Sequence, residues 1–221
     1  MNIGLFGGTF NPVHIGHLRA ALEVKEGFDL DEVILIPAAL PPHKMPAEVA
    51  DADDRLHMLN LALDDTSGLK LSDVELKRSG PSYTIDTVRH FKRTLPDQSR
   101  IYLIMGMDAF LEIDTWKSYD ELLLQIPFII LNRPNSGSAA NDFGWNSIEN
   151  YLTSKISADY IFSESQNCYR AKNKQPVYVF EVTSLEISST RIRNLINKSR
   201  SIGYLVPQKV ADFINSRGLY L

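Results

Sequence analysis

Short blocks of apolar residues recur along this chain, separated by stretches with the apolar spacing of an amphipathic helix. The blocks Ile3 to Phe6, Glu32 to Ile36, Ile101 to Met105 and Pro127 to Leu131 are rich in β-branched or aromatic side chains. Gly, Pro or Asp bounds each of them, which marks them as buried strands. Fainter strands cover Leu69 to Leu76 and Pro176 to Val182. Near-continuous apolar runs suit parallel strands covered on both faces. Helical periodicity fills the intervals His17 to Lys25, Asp53 to Leu63, Thr84 to Leu95 and Ser118 to Gln125. Two further helices lie near Ser189 to Lys198 and Pro207 to Ser216, the second stopped by Gly218. The alternation predicts βαβ units, hence an α/β fold with a doubly wound, mostly parallel sheet and C-terminal helices.

After Asn132 the pattern thins. The small, polar stretch from Asn135 to Asp142 reads as a mobile loop, and Asn146 to Lys155 as a short helix. No repeat and no linker divides the chain. The expectation is one domain over residues 1–221 with a loop insertion around 135–175.

Composition narrows the function classes. Hydrophobic residues make up 44% and charged residues 23% of 221, an ordinary globular balance that argues against disorder. With 23 basic and 27 acidic residues the net charge is −4, so bulk electrostatics would not hold a nucleic-acid polymer or an anionic membrane. A local basic pocket for a small anion stays open. The lone cysteine, Cys168, excludes an intramolecular disulfide and a multi-cysteine zinc site, and fits a reducing compartment. No apolar run is long enough to span a bilayer, and the N-terminus lacks the features of a signal peptide. A cytoplasmic protein is expected, with a homo-oligomer left open.

The run Gly7-Gly8-Thr9-Phe10-Asn11-Pro12-Val13-His14-Ile15-Gly16-His17 leaves the first strand and enters the first helix, where open α/β sheets bind ligands. Gly7 and Gly8 allow the backbone to approach an anion, and the helix start offers free N–H groups. His14 and His17 can both turn toward one phosphate chain and stabilise charge developing there. A Gly-rich turn with two incidental histidines is the bland alternative. Zinc is another, but no third ligand lies nearby. Neither Walker A nor G-x-G-x-x-G is present.

A second anion-ready helix start is Ile187-Ser188-Ser189-Thr190-Arg191-Ile192-Arg193. Ser and Thr cap helices, and Arg193 one turn in carries a forked set of donors. Alone, it would read as a well-capped surface helix. Lys44, after Pro41 and Pro42, is a point charge on a stiffened loop, or an ordinary solvated lysine. In Gly80-Pro81-Ser82-Tyr83-Thr84-Ile85-Asp86-Thr87, amides near Thr84 can receive a carboxylate or serve simple capping. Gly106 permits close approach of a flat ring, Asp108 can accept hydrogen bonds from ribose or a base amine, and Trp116 offers a stacking face.

Gly8-Thr9-Phe10-x-Pro12-x-His14-x-Gly16-His17 resembles the fingerprint of the nucleotidyltransferase superfamily that carries the HIGH motif. Ile187-Ser188-Ser189-Thr190-x-x-Arg193 is similar to the same superfamily's I-S-S-T-x-x-R motif, which holds the triphosphate. The Lys-Met-Ser-Lys-Ser loop of aminoacyl-tRNA synthetases is missing, as is room for an anticodon-binding domain. P-P-H-K at Pro41 to Lys44, S-Y-T-x-D-T at Ser82 to Thr87, G-x-D at Gly106 to Asp108, T-W at Thr115 and Trp116, and the Arg133-Pro134 pair extend the likeness. Over nearly the whole chain the sequence resembles the bacterial nicotinate mononucleotide adenylyltransferases, with least correspondence between Asn135 and Gln175.

The resemblance implies transfer of adenylyl from ATP to nicotinate mononucleotide, giving deamido-NAD and pyrophosphate. The mononucleotide's own phosphate is the nucleophile, so the protein positions and stabilises charge. By resemblance, His14, His17 and Arg193 are catalytic. Gly8, Thr9, Phe10, Gly16, Gly106, Asp108, Ser189, Thr190 and Arg193 bind ATP, and Lys44, Thr84, Trp116, Lys117 and Arg133 bind the mononucleotide. Trp116 would stack on the nicotinate ring, and the amides of Thr84 and Lys117 would take its carboxylate. Mg²⁺ would arrive on ATP, without a dedicated protein cage. The competing readings are an adenylyltransferase for another mononucleotide, such as the nicotinamide one, and a catalytically silent nucleotide sensor.

Overall fold

Strand β1, Asn2–Gly8, is the axis of the fold, paired in parallel with β2 (Glu32–Pro37) on one side and β4 (Arg100–Gly106) on the other. The computed structural model describes residues 1–39, 49–64, 66–133 and 141–221. Strand β3 (Leu69–Leu71) lies outside β2, and β5 (Phe128–Asn132) and β8 (Val177–Glu181) follow β4, all in parallel. From β1 the chain winds outward to β3, then returns to β4 and winds the other way. The carboxyl ends of β1 and β4 therefore flank the switch point of an open sheet, where a crevice must form.

Helices cover both faces, and the strand alternation assigns residues between them. Ile129 and Leu131 of β5 join one core with α1 (Ile15–Gly27), α2 (Ala52–Leu63), α7 (Ser189–Asn197) and α8 (Gln208–Arg217). Phe128 and Ile130 join the other, with α3 (Thr84–Thr94), α4 (Met107–Phe110), α5 (Tyr119–Gln125) and α6 (Asn141–Tyr151). With apolar residues facing both layers, strands such as β5 carry no polar alternation. None of the described helices is long and apolar enough to cross a membrane.

Two expectations differ from what forms. The strand expected over Leu69 to Leu76 stops at Leu71, because the next residues turn and Lys77 N–H bonds back to Asp73 O at 3.1 Å. The turn buries Glu75. Within the insertion expected at 135–175, the short helix expected at Asn146 to Lys155 is α6 continued by a π-helical turn at Leu152–Ile156, but a hairpin of β6 (Ile161–Ser163) and β7 (Cys168–Arg170) forms where no strand was expected. That hairpin joins β8 antiparallel and extends the sheet to eight strands. Three-residue strands are too short to show a period, but Cys168 and Tyr169 are buried. Residues 135–140 of the expected mobile loop lie outside the described residues, and Asn141 and Asp142 already belong to α6.

Candidate active site

The loop after β1 is shaped by an aromatic ring beneath it. Phe10 adopts φ 48°, and its buried ring lies so close to Gly8 that a Cβ there would meet it at 2.9 Å. Phe10 packs edge-on against Phe6 and His17, with centroids 5.9 and 5.0 Å away. At Gly16 an added Cβ would come within 3.1 Å of the His14 ring, so a larger residue would push that ring aside.

His14 is the N-cap residue of α1, and its ring stacks on His17 with centroids 3.6 Å apart and an interplanar angle of 22°. The His14 N–H donates to Nδ1 of His17 at 3.2 Å. In the neutral His17 ring the proton therefore sits on Nε2, which becomes its donor. His14 is 2% exposed, and its Nδ1 is buried without a hydrogen-bond partner among the described residues. Burial first, and the charge of Arg133 second, push its pKa down to about 4, so the ring is neutral at ordinary pH. Arg133, at the end of β5, thus contributes positive potential to the same locus.

The start of α7 docks directly onto this loop. Ser188 caps the helix by accepting from Arg191 N–H at 3.1 Å, a role the sequence distributes over three hydroxyl residues. Ser189 Oγ instead donates to Pro12 O at 2.9 Å. Arg193 Nη1 donates to Asn11 O at 2.9 Å, and Nη2 reaches Thr190 Oγ1 at 3.4 Å. The two motifs are therefore one structure, although part of the hydrogen-bonding capacity of Ser189 and Arg193 is spent on joining them.

Beside this junction, at the β1–β4 switch point, lies a cavity of about 330 Å³. Gly8, Thr9 and Gly106, expected on the ATP side, line it together with Thr84, Trp116 and Lys117. Thr84 opens α3, whose N-cap residue Tyr83 makes no side-chain cap. Among the described residues the amides of Thr84 and Ile85 meet no acceptor, while Asp86 N–H turns back to Tyr83 O at 3.1 Å. Trp116 is half-buried after a 3₁₀ turn, Ile113–Thr115. Lys117 Nζ sits 4.3 Å over the Tyr83 ring and 3.4 Å from Asp86, tying the two turns together. His14, His17, Phe10, Asp108, Ser189, Thr190, Arg133 and Arg193 are outside the cavity wall. Asp108 is exposed in the first turn of α4. Lys44 lies outside the described residues.

Three supporting residues escaped the sequence reading. Arg55, 1% exposed on α2, donates to Thr9 O, Ala38 O, Ala39 O and Ala50 O at 3.0, 2.7, 3.2 and 2.9 Å. An arginine on the apolar face of a helix was the available signal. Asn11 Oδ1 accepts from Ala50 N–H at 3.0 Å and from Tyr220 Oη–H at 2.8 Å, anchoring the loop on two distant segments. Tyr151, at the end of α6, donates to Asp114 Oδ1 at 2.6 Å and accepts from Asp114 N–H at 3.2 Å, bracing the turn that carries Trp116. Among the described residues no group of three or more His, Cys, Asp or Glu could hold a metal ion.

The cytidylyltransferase-like family model matches residues 5–195. A probable nicotinate-nucleotide adenylyltransferase of Desulfatibacillum aliphaticivorans is 43% identical, with all of both chains covered. One from Pseudomonas fluorescens is 40% identical over 99% of this chain and 96% of its own. Among solved structures, Plasmodium falciparum nicotinic acid mononucleotide adenylyltransferase complexed with NaAD superposes with a TM-score of 0.72 and 20% identity. That match covers 99% of this chain and 97% of the other, a likeness of fold.

Proposed function

Because the chain belongs to the nicotinate-nucleotide adenylyltransferases, within the cytidylyltransferase-like family, we propose that it transfers adenylyl from ATP to nicotinate mononucleotide, forming deamido-NAD and pyrophosphate. The observation that carries this reading is the docking of Ser189 and Arg193 onto Pro12 and Asn11, next to the cavity of Trp116. In this reading the loop that carries Gly8 and Thr9 links a phosphate locus at the motif junction to a ring pocket in the cavity.

In this reaction the mononucleotide phosphate attacks the α-phosphorus of ATP in line, and pyrophosphate leaves. The phosphate dianion is already a competent nucleophile near neutral pH, since its second pKa is about 6. No covalent enzyme intermediate is needed. The protein aligns two anions and offsets the charge that accumulates between them. His17, with Nδ1 held by the His14 N–H, presents Nε2–H to the reacting phosphate. Neutral His14, stacked on His17 at the helix start, is the second imidazole of the phosphate locus. Thr9 and Phe10 contribute loop contacts, and Gly16 leaves room for the His14 ring. Ser189, Thr190 and Arg193 hold the leaving phosphates, while Arg133 adds positive potential. Asp108 accepts from the ribose on the ATP side. Mg²⁺ carried on ATP would offset phosphate charge, without a dedicated set of protein ligands.

On the other side, the nicotinate ring stacks on Trp116 and its carboxylate meets the amides of Thr84 and Lys117. Pyrophosphate release with ATP and either nicotinate or nicotinamide mononucleotide tests the proposal. Release with nicotinate mononucleotide is expected to exceed that with the amide by roughly 10²-fold or more, because a carboxamide turns an NH₂ toward one of two amide donors and leaves it unpaired under the ring. Absence of release with both would refute adenylyl transfer to these acceptors.

A further inference from the structure

The cavity wall contains a charge that the proposed chemistry has not used. Glu75 is 7% exposed and lines the cavity with Trp116, Thr84 and Lys117. Thr87 Oγ1 donates to its Oε1 at 2.6 Å. None of the ion pairs among the described residues involves Glu75. Arg78, the closest cation along the hydrogen-bond chain, donates to Thr87 Oγ1 at 3.2 Å and Tyr83 O at 3.4 Å. A buried carboxylate with one hydroxyl donor and no ion-pair partner among the described residues has lost water without gaining a counter-charge from them.

The substrate proposed for this cavity would supply that counter-charge. Nicotinate in its mononucleotide is a zwitterion, with a carboxylate on the ring and a positive pyridinium nitrogen at the glycosidic bond. Amide donors at Thr84 and Lys117 suit the carboxylate. The Trp116 face attracts a cationic ring. Glu75, itself buried, adds a negative charge to the cavity wall, where attraction is stronger than in bulk water. We propose that Glu75 is a specificity-determining residue that recognises the positive charge of the pyridinium ring, so that the site favours the oxidised mononucleotide over its neutral dihydropyridine form. This inference rests on the nicotinate mononucleotide reading of the cavity. It concerns the redox state of the ring, which the carboxylate contacts do not sense.

Glu75→Gln removes the charge and keeps both the size and an acceptor for Thr87. Binding of nicotinate mononucleotide, of its 1,4-dihydro form and of nicotinamide mononucleotide is measured by calorimetry without ATP, in wild type and variant, alongside kcat/KM with ATP. The wild type is expected to prefer the pyridinium form. The variant is expected to lose roughly 10- to 100-fold in affinity for it, with affinity for the dihydro form unchanged. Equal losses for both forms would overturn the proposal, since they would mark a scaffold role through Thr87. Tighter pyridinium binding would also overturn it, showing that the charge faces the substrate carboxylate. A loss confined to nicotinamide mononucleotide would make Glu75 a carboxamide acceptor instead. If the variant does not fold, Glu75→Asp retains and retracts the charge, and must weaken the pyridinium form alone. Failure of the adenylyl-transfer reading is seen separately, as wild-type enzyme that releases no pyrophosphate while the ATP-free binding comparison still reads the ring charge.

Discussion

Acid should destabilise this fold through His14, and the size of the effect follows from its burial. The ring is 2% exposed, and its pKa falls from 6.5 to about 4, chiefly through desolvation and secondly through Arg133. In the unfolded chain the same group titrates at its ordinary value. Above pH 6.5 both states hold it neutral, and it adds no pH dependence. As pH falls below that value, the unfolded state takes up a proton that the folded state refuses, so stability is lost down to about pH 4. The full difference is about 3 kcal/mol, of which about 2 kcal/mol has been lost by about pH 5. His14→Gln removes the titrating group and keeps a polar side chain of similar reach. Urea denaturation at about pH 7.5 and about pH 5 gives the loss for each protein, and their difference isolates His14 from other titrating groups. Wild type should lose about 2 kcal/mol more than the variant over that interval. Arg133→Gln should shrink the excess modestly, since it removes only the smaller cause. Equal acid sensitivity in wild type and His14→Gln would refute the argument that His14 is held neutral by burial.

Other consequences are more direct. His17→Ala should lower turnover by roughly 10²- to 10³-fold with the fold intact by circular dichroism, as for loss of a transition-state donor; turnover near wild type would remove His17 from the chemistry. Arg193→Ala should raise KM for ATP more than KM for the mononucleotide, with the reverse pattern placing α7 on the wrong substrate. Arg55→Met should cost about 3 to 5 kcal/mol in urea denaturation, because four carbonyls lose one buried donor group; a loss below about 1 kcal/mol would mean that water replaces it. Tyr151→Phe should raise KM for nicotinate mononucleotide several-fold and leave KM for ATP level, because Asp114 braces the Trp116 turn. Equal shifts in both constants would contradict that.

Much of this protein was legible in order along the chain. Buried parallel strands are apolar on both faces, so β1, β2, β4 and β5 stand out as runs, and the helices between them show their own period. The histidine loop and the Ser-Ser-Thr helix start could be identified because their residues are contiguous. Each performs its local task, exposing amides or capping a helix, with residues a few positions apart.

What the tertiary structure decided are the relations between distant residues. Ser189 meets Pro12 across 177 positions, and Tyr220 meets Asn11 across 209. Nothing in either local pattern encodes those partners, because they depend on where whole helices pack. The same holds for residues whose chemistry contradicts their setting. Arg55 and Glu75 look like solvated charges in sequence, but packing buries both and leaves each to be satisfied by the site around it. The strands β6 and β7 are too short to carry a period of their own, and they form because β8 offers an edge that would otherwise leave backbone groups unpaired. Local periodicity is set by which face of an element is dry. Which charges end up on the dry side, and against what, is set only when all the elements have closed on one another.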